Sequence, residues 1–226
     1  AGAGPNGAGA ARCVYLGSGS MLHGFTLTNG HTHVSGSNLD QSGGGLCMED
    51  GAVAEKCIVR QCRSDYLGGG VYARGGTLRN CLVWDNETDG WVAGVHNGVL
   101  QNCTVVENRS AHNAGGVFSG ELRNTIVYYN TASVKYPNVE GTNLQYCCAP
   151  EIQGASNITN APEFVEPASG NFRLSYPSPC LDAGMDLSAL TEEDLDGNPR
   201  PVDGRGDGSA VFDVGAYEAY PEGFPD

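Results

Sequence analysis

The chain has 226 residues, a formal charge of −14 and 34 glycines. That charge argues against a nucleic-acid partner. No run of 18 apolar residues exists for a membrane-spanning helix, and the glycine content favours tight turns over long helices.

The chain opens Ala1-Gly2-Ala3-Gly4 with no basic, apolar leader. That start is read as lying inside a longer structure or following processing. From about residue 11 to 148 one phrase returns: a small-residue run, a short apolar stretch, then Leu-x-Asn-Cys/Thr, alternating apolar residues and an Asn. It reads Gly69-Gly70-Val71…Leu78-Arg79-Asn80-Cys81, then Ala93-Gly94-Val95…Leu100-Gln101-Asn102-Cys103, then Gly115-Gly116-Val117…Leu122-Arg123-Asn124-Thr125. The steps Cys81 to Cys103, Cys103 to Thr125 and Thr125 to Cys147 are each 22 residues, and Cys57 to Cys81 is 24. A fixed period of this size marks a solenoid. Its short runs of Val, Ile, Leu and Thr are too brief for helices, so each coil is predicted to hold short strands. The expected fold is an all-β parallel β-helix of about six coils, with equivalent residues roughly 4.8 Å apart.

Alignment of the repeats predicts inward columns. These are Leu22, Ala54, Leu78, Leu100, Leu122 and Leu144; Cys57, Cys81, Cys103, Thr125 and Cys147; and Val59, Val83, Val105 and Val127. Two asparagine columns, Asn80/Asn102/Asn124 and Asn86/Asn108/Asn130, are expected to pass side-chain hydrogen bonds from coil to coil. The strand after the first of these places Ile58, Leu82, Thr104 and Ile126 outside, with Arg60, Trp84, Val106 and Tyr128 beside them. It is therefore apolar on both faces, and something should cover it. The ladder cysteines read as buried free thiols, while Cys180, outside the ladder, is a disulfide candidate with Cys147 or Cys148.

Residues 149–226 do not repeat, and 163–226 carry 14 of the 26 acidic side chains against three arginines. The order of motifs here is distinctive: Asn160-Ala161-Pro162-Glu163-Phe164, Gly170-Asn171-Phe172-Arg173-Leu174 and Ser178-Pro179-Cys180-Leu181-Asp182-Ala183-Gly184. Then come Asp194-Leu195-Asp196-Gly197-Asn198-Pro199-Arg200 and Asp213-Val214-Gly215-Ala216-Tyr217-Glu218. With the repeats before it, this block resembles the choice-of-anchor type of bacterial surface protein, a pectin-lyase-like right-handed parallel β-helix. The resemblance implies an extracellular or cell-surface bacterial protein. Members commonly carry a sorting signal after the block; the chain ends at Pro225-Asp226 without one, so no anchoring mode is implied.

The same fold hosts polysaccharide lyases and glycoside hydrolases, which need clustered carboxylates, in lyases with a basic residue beside them. Asp85 and Glu107 share a column on adjacent coils and form a candidate pair, against a plain solvated turn edge. The other acidic and basic residues of the coils are scattered, so no catalytic residue is assigned. Asp194, Asp196 and Asn198, with Asp203 and Asp207 nearby, alternate oxygens like a Ca²⁺ loop. Gly197 comes too early for an EF-hand and Arg205 stands where its last Glu would be, so an ordinary acidic turn competes with calcium. Tyr72, His96 and Phe118 form an outward aromatic column, a candidate sugar-binding stripe. Arg205-Gly206-Asp207 is a three-residue match that chance supplies often.

The expected organisation is one domain: coils over 1–148 and an acidic tail over 149–226 that packs on the side and closes the C-terminal end. The expected function is a non-enzymatic extracellular structural or adhesion module. The Gly/Ala-rich start offers no cap, so the N-terminal end is read as a cut surface of a longer β-helix or a docking surface for another copy. The alternative is a carbohydrate-active or carbohydrate-binding β-helix.

Overall fold

The computed structural model describes residue 7 and residues 9–220. The Gly/Ala-rich start, on which the expectation of an uncapped end partly rests, falls mostly outside the described residues. From Val14 the chain winds as a right-handed parallel β-helix with four short strands per coil. The first ladder stacks Val14–Leu16, Leu46–Met48, Val71–Ala73, Val95–His96 and the starts of Val117–Arg123 and Val139–Gln145. Its six strands are separated by five turns of chain. The second stacks Met21–His23, Val53–Glu55, Thr77–Arg79 and Val99–Gln101 on the later halves of the same two long strands. The third is Thr26–Thr28, Ile58–Arg60, Leu82–Trp84, Thr104–Val106 and Ile126–Tyr128; the fourth is Arg63–Ser64, Glu87–Thr88, Arg109–Ser110 and Thr131–Ala132.

The registers match the sequence columns residue for residue. Leu22, Ala54, Leu78, Leu100, Leu122 and Leu144 stack in one line. The middle four are buried, while Leu22 and Leu144, on the end coils, are half-buried. The cysteine and valine columns are fully buried. The small-residue run before each first-ladder strand has a packing cause. A Cβ on Gly45, Gly70, Gly94 or Gly116 would lie 2.5, 2.9, 2.9 and 2.5 Å from Cγ1 of Val59, Val83, Val105 and Val127. Any larger side chain would collide with the valine column inside the same coil.

Sharp corners come from single left-handed residues. Between the second and third ladders these are Gly24, Lys56, Asn80, Asn102, Asn124 and Tyr146; between the third and fourth, Asn29, Gln61, Asp85, Glu107 and Tyr129. Asn tolerates this conformation better than most residues, which accounts for the first Asn column. The second column is internal and behaves as expected. Asn86 Oδ1 accepts the Cys62 N–H at 3.0 Å, and Asn86 N–H and Nδ2 donate to Asn108 Oδ1 at 3.0 and 2.9 Å. Asn108 repeats the pattern onto Asn130, and Asn130 onto Asn138. Each buried amide is thereby satisfied inside an otherwise apolar core.

The non-repeating segment covers the end and then the side. Ala149 N–H donates to Ile158 O and Ile158 N–H to Cys147 O, while Ile152 packs on the end of the core. Phe164–Glu166 then pairs antiparallel with Asn171–Leu174. This hairpin and residues 180–217 lie over the third ladder. Phe172, Ala216 and Tyr217 pack on Leu82 and Val106; Leu174, Leu181 and Val214 pack on Ile126. Leu82, Thr104 and Ile126 retain 2%, 1% and 1% of their exposure. The apolar outer strand is thus covered by the chain's own tail. All nine cysteines are free. Cys180 and Cys148 are buried in the same cluster, yet no disulfide joins them.

Candidate functional site

The Asn80/Asn102/Asn124 column corrects the sequence reading: most of its amide groups hold the tail rather than the next coil. Asn80 Nδ2 donates to Thr191 Oγ1 (2.8 Å) and Glu193 O (2.9 Å), and Asn80 Oδ1 accepts from Arg200 Nη1 (3.0 Å). Asn124 exchanges hydrogen bonds with the backbone of Met185 at 2.8 Å each way. Only Asn124 to Asn102 runs along the column, at 3.0 Å.

These contacts converge on a buried ionic centre assembled from the two last tail motifs. Arg200 is fully buried, ion-paired with Glu218 at 2.8 Å, and stacked over the Phe212 ring. Asp194, Asp213 and Glu218 are buried around it. Asp213 accepts the N–H groups of Asp182 and Ala219, each at 2.7 Å. Glu218 accepts those of Asp213 (2.9 Å) and Val202 (3.2 Å). Burial, followed by the charge of Glu218, pushes Asp213 up to about 8, although its two backbone donors oppose the shift. Glu218 is also raised, chiefly by burial.

A pH dependence follows. The folded carboxyl of Asp213 holds its proton up to about pH 8, whereas the unfolded one loses it near 3.8. The folded state therefore binds more protons across that window, and stability falls as pH rises through it. We expect the melting temperature to drop between pH 5 and pH 8.5, roughly the upper part of that window, and the drop to shrink in Asp213→Asn. Calorimetry across that range checks it; a melting temperature that rises with pH would contradict it.

The calcium candidates are tied into these same contacts. Asp194 Oδ1 accepts the N–H of Asp196 (2.9 Å) and Asn198 (2.8 Å), and its Oδ2 accepts that of Glu218 (3.0 Å). Asp196 Oδ2 receives Arg173 Nη2 at 2.6 Å. Asp203 sits in the following turn and accepts from Asp207 and Gly208 N–H at 3.0 and 2.7 Å. Asp194, Asp196 and Asn198 are brought together and Asp203 is not. Among the described residues no three His, Cys, Asp or Glu side chains group as metal ligands.

Tyr72, His96 and Phe118 do form one column on the outer side of the first ladder. Tyr72 and His96 lie 5.3 Å apart at 44°, and His96 and Phe118 stack at 5.5 Å and 16°. The rings turn faces toward one another and leave edges for a ligand, a poorer sugar platform than a free face. Burial lowers the His96 pKa and so favours the neutral imidazole. A pair missed in the sequence, Trp91 stacked on His112 at 6.0 Å and 16°, is more open, with Trp91 49% exposed. Its spacing is 21 rather than 22 residues, which hid it from the column alignment.

At the corner between third and fourth ladders, Asp85 and Glu107 occupy successive left-handed positions. Burial and then the charge of Asp85 raise the Glu107 pKa. A groove of about 270 Å³ beside them is lined by His31, Gln61, Arg63, Asp85 and Glu87. Arg63, not singled out in the sequence, bridges Glu87 (3.3 Å) and Asp89 (3.1 Å through Nε), and Arg109 also reaches Glu87 (3.0 Å). A second groove of about 440 Å³ separates the tail from the second ladder, where Lys56 pairs with Glu193 beside His23 and Glu55.

A family model described as right handed beta helix region matches residues 13–160. The chain belongs to that right-handed β-helix family. No curated protein matches the sequence. Among solved structures, the crystal structure of pectate lyase Pel9A superposes on 93% of this chain and 69% of its own, at 12% identity and a TM-score of 0.43.

Proposed function

We propose that this chain is a non-enzymatic structural or adhesion module of an extracellular or cell-surface bacterial protein of the choice-of-anchor type. The observation that carries the reading is the evenly covered side: the apolar strand is sealed beneath the tail, with Leu82, Thr104 and Ile126 almost fully buried. Such a β-helix is a rigid rod that spaces or displays neighbouring parts. With that apolar face occupied, association with further copies falls to the ends. The first-coil strands Val14–Leu16, Met21–His23 and Thr26–Thr28 pair on one side only among the described residues, and Tyr15, Met21 and Phe25 are exposed there. Unpaired parallel edges of this kind recruit further strands.

One observation favours a carbohydrate-active site instead: Asp85 and Glu107 side by side, with Arg63 in the adjoining groove. Two carboxylates, one raised, are what acid–base cleavage of a glycosidic bond requires. Purified protein on a glycan array, followed by lyase and hydrolase assays on acidic and neutral polysaccharides, separates the readings. We expect no turnover and no binding above a reference protein. Turnover that disappears in both Asp85→Asn and Glu107→Gln would replace the structural reading with the enzymatic one.

A further inference from the structure

The internal asparagine ladder ends in sulfur. Its column runs Asn130, Asn108, Asn86 and then Cys62, whose N–H donates to Asn86 Oδ1. The Gly30 N–H in turn points at Cys62 Sγ at 3.4 Å. Gly30 holds the place in the first coil where another ladder side chain would stand, and Cys13 fills that space from the side. A Cβ on Gly30 would lie 2.6 Å from Cys13 Sγ and 2.1 Å from Gly44 O. Both sulfurs therefore border the same gap at Gly30, and Cys13 Sγ also lies 3.4 Å from Thr28 O. Cys62 is buried, whereas Cys13 is the one cysteine of nine open to solvent.

We propose that Cys13 and Cys62 form a redox-closable pair, with Cys13 as the nucleophile toward low-molecular-weight disulfides and Cys62 as the resolving thiol. The asymmetry of the pair suits those roles. The neighbouring Cys62 thiol is the main cause lowering Cys13 to about 7, while the Cys13 thiol and burial raise Cys62. A thiolate near neutral pH, partly exposed, is the reactive form.

The Cys13 thiolate attacks one sulfur of the external disulfide, forming a mixed disulfide and releasing one thiolate. Cys62 then gives up its proton, and its sulfur attacks Cys13 Sγ. The Cys13–Cys62 bond forms, and the second external thiolate leaves and takes up that proton. Two protein thiols are oxidised, and one external disulfide is reduced to two thiols. The closed bond ties the entry of the first described coil to the second coil.

The test uses the whole reduced chain, folded, with oxidised glutathione as the probe, quenched with acid and N-ethylmaleimide over time and mapped by peptide mass spectrometry. The Cys13–Cys62 disulfide should appear first, with Cys57, Cys81, Cys103, Cys148 and Cys180 reacting only after unfolding. Below pH 7 the rate should fall about tenfold per unit as the thiolate is lost. In Cys62→Ser the reaction should stop at one glutathione on Cys13. The wild-type time course stands even if that variant misfolds. Oxidation of any other cysteine before Cys13, or a Cys13 adduct that never closes onto Cys62, overturns the assignment.

Discussion

Val105→Asp is expected to lower the unfolding midpoint steeply and to remove a large share of the fold's stability. Val105 has no exposed surface, lies between Val83 and Val127 in its column, and touches the space that Gly94 keeps open. Neither water nor a counter-charge can reach it. An uncompensated charge in such a place costs about 3–5 kcal/mol, a large share of the roughly 5–15 kcal/mol that holds a domain together. Val105→Ala, which only empties space, should cost about 2 kcal/mol and still fold. Urea titration followed by circular dichroism separates the two. An unaltered midpoint for the Asp variant would mean that inward and outward faces of the third ladder had been exchanged.

The second large effect is at Arg200. Replacing it by Met keeps the volume but leaves Asp194, Asp213 and Glu218 buried with no cation, and strands the Asn80 carbonyl that Arg200 donates to. Removing one partner of a buried ion pair typically costs about 3–5 kcal/mol. The loss should fall on the tail, because the coils bury their own core without it. We expect protease cleavage within residues 160–219 and exposure of Leu82, Thr104 and Ile126 to a hydrophobic dye, while the β-helix dichroism persists. A tail as resistant to protease as in the unaltered protein would show that the apolar contacts alone hold it.

The coils were legible because each inward residue recurs at a constant step, so one alignment gave the leucine, cysteine and valine columns and the phase of every strand. It also showed that the strand carrying Ile58 and Leu82 needed a cover. The ionic centre was not legible in the same way. Asp194, Arg200, Asp213 and Glu218 stand in two motifs with no period, and only the path of the tail brings them together. The sequence left calcium and an ordinary acidic turn both open at Asp194, because alternating oxygens look alike whether they face a metal or backbone N–H groups. Asn80 and Asn124 were read as links between coils because their left-handed corners recur, although most of their amide groups turn toward the tail. Cys13 was hidden because it enters the ladder from outside the column, through the gap at Gly30.

The two places where the Asn corners grip the tail lie two coils apart. Asn80 holds Thr191, Glu193 and Arg200, and Asn124 holds Met185 and, through its backbone carbonyl, Gly215. The tail is therefore a gauge of fixed length laid against the stack. Gaining or losing a coil between residues 80 and 124 would throw Arg200 out of line with Asn80 even though every ladder closed again. Coils ahead of Lys56 carry no such constraint, so a coil added or removed there would leave the sealed end unaltered.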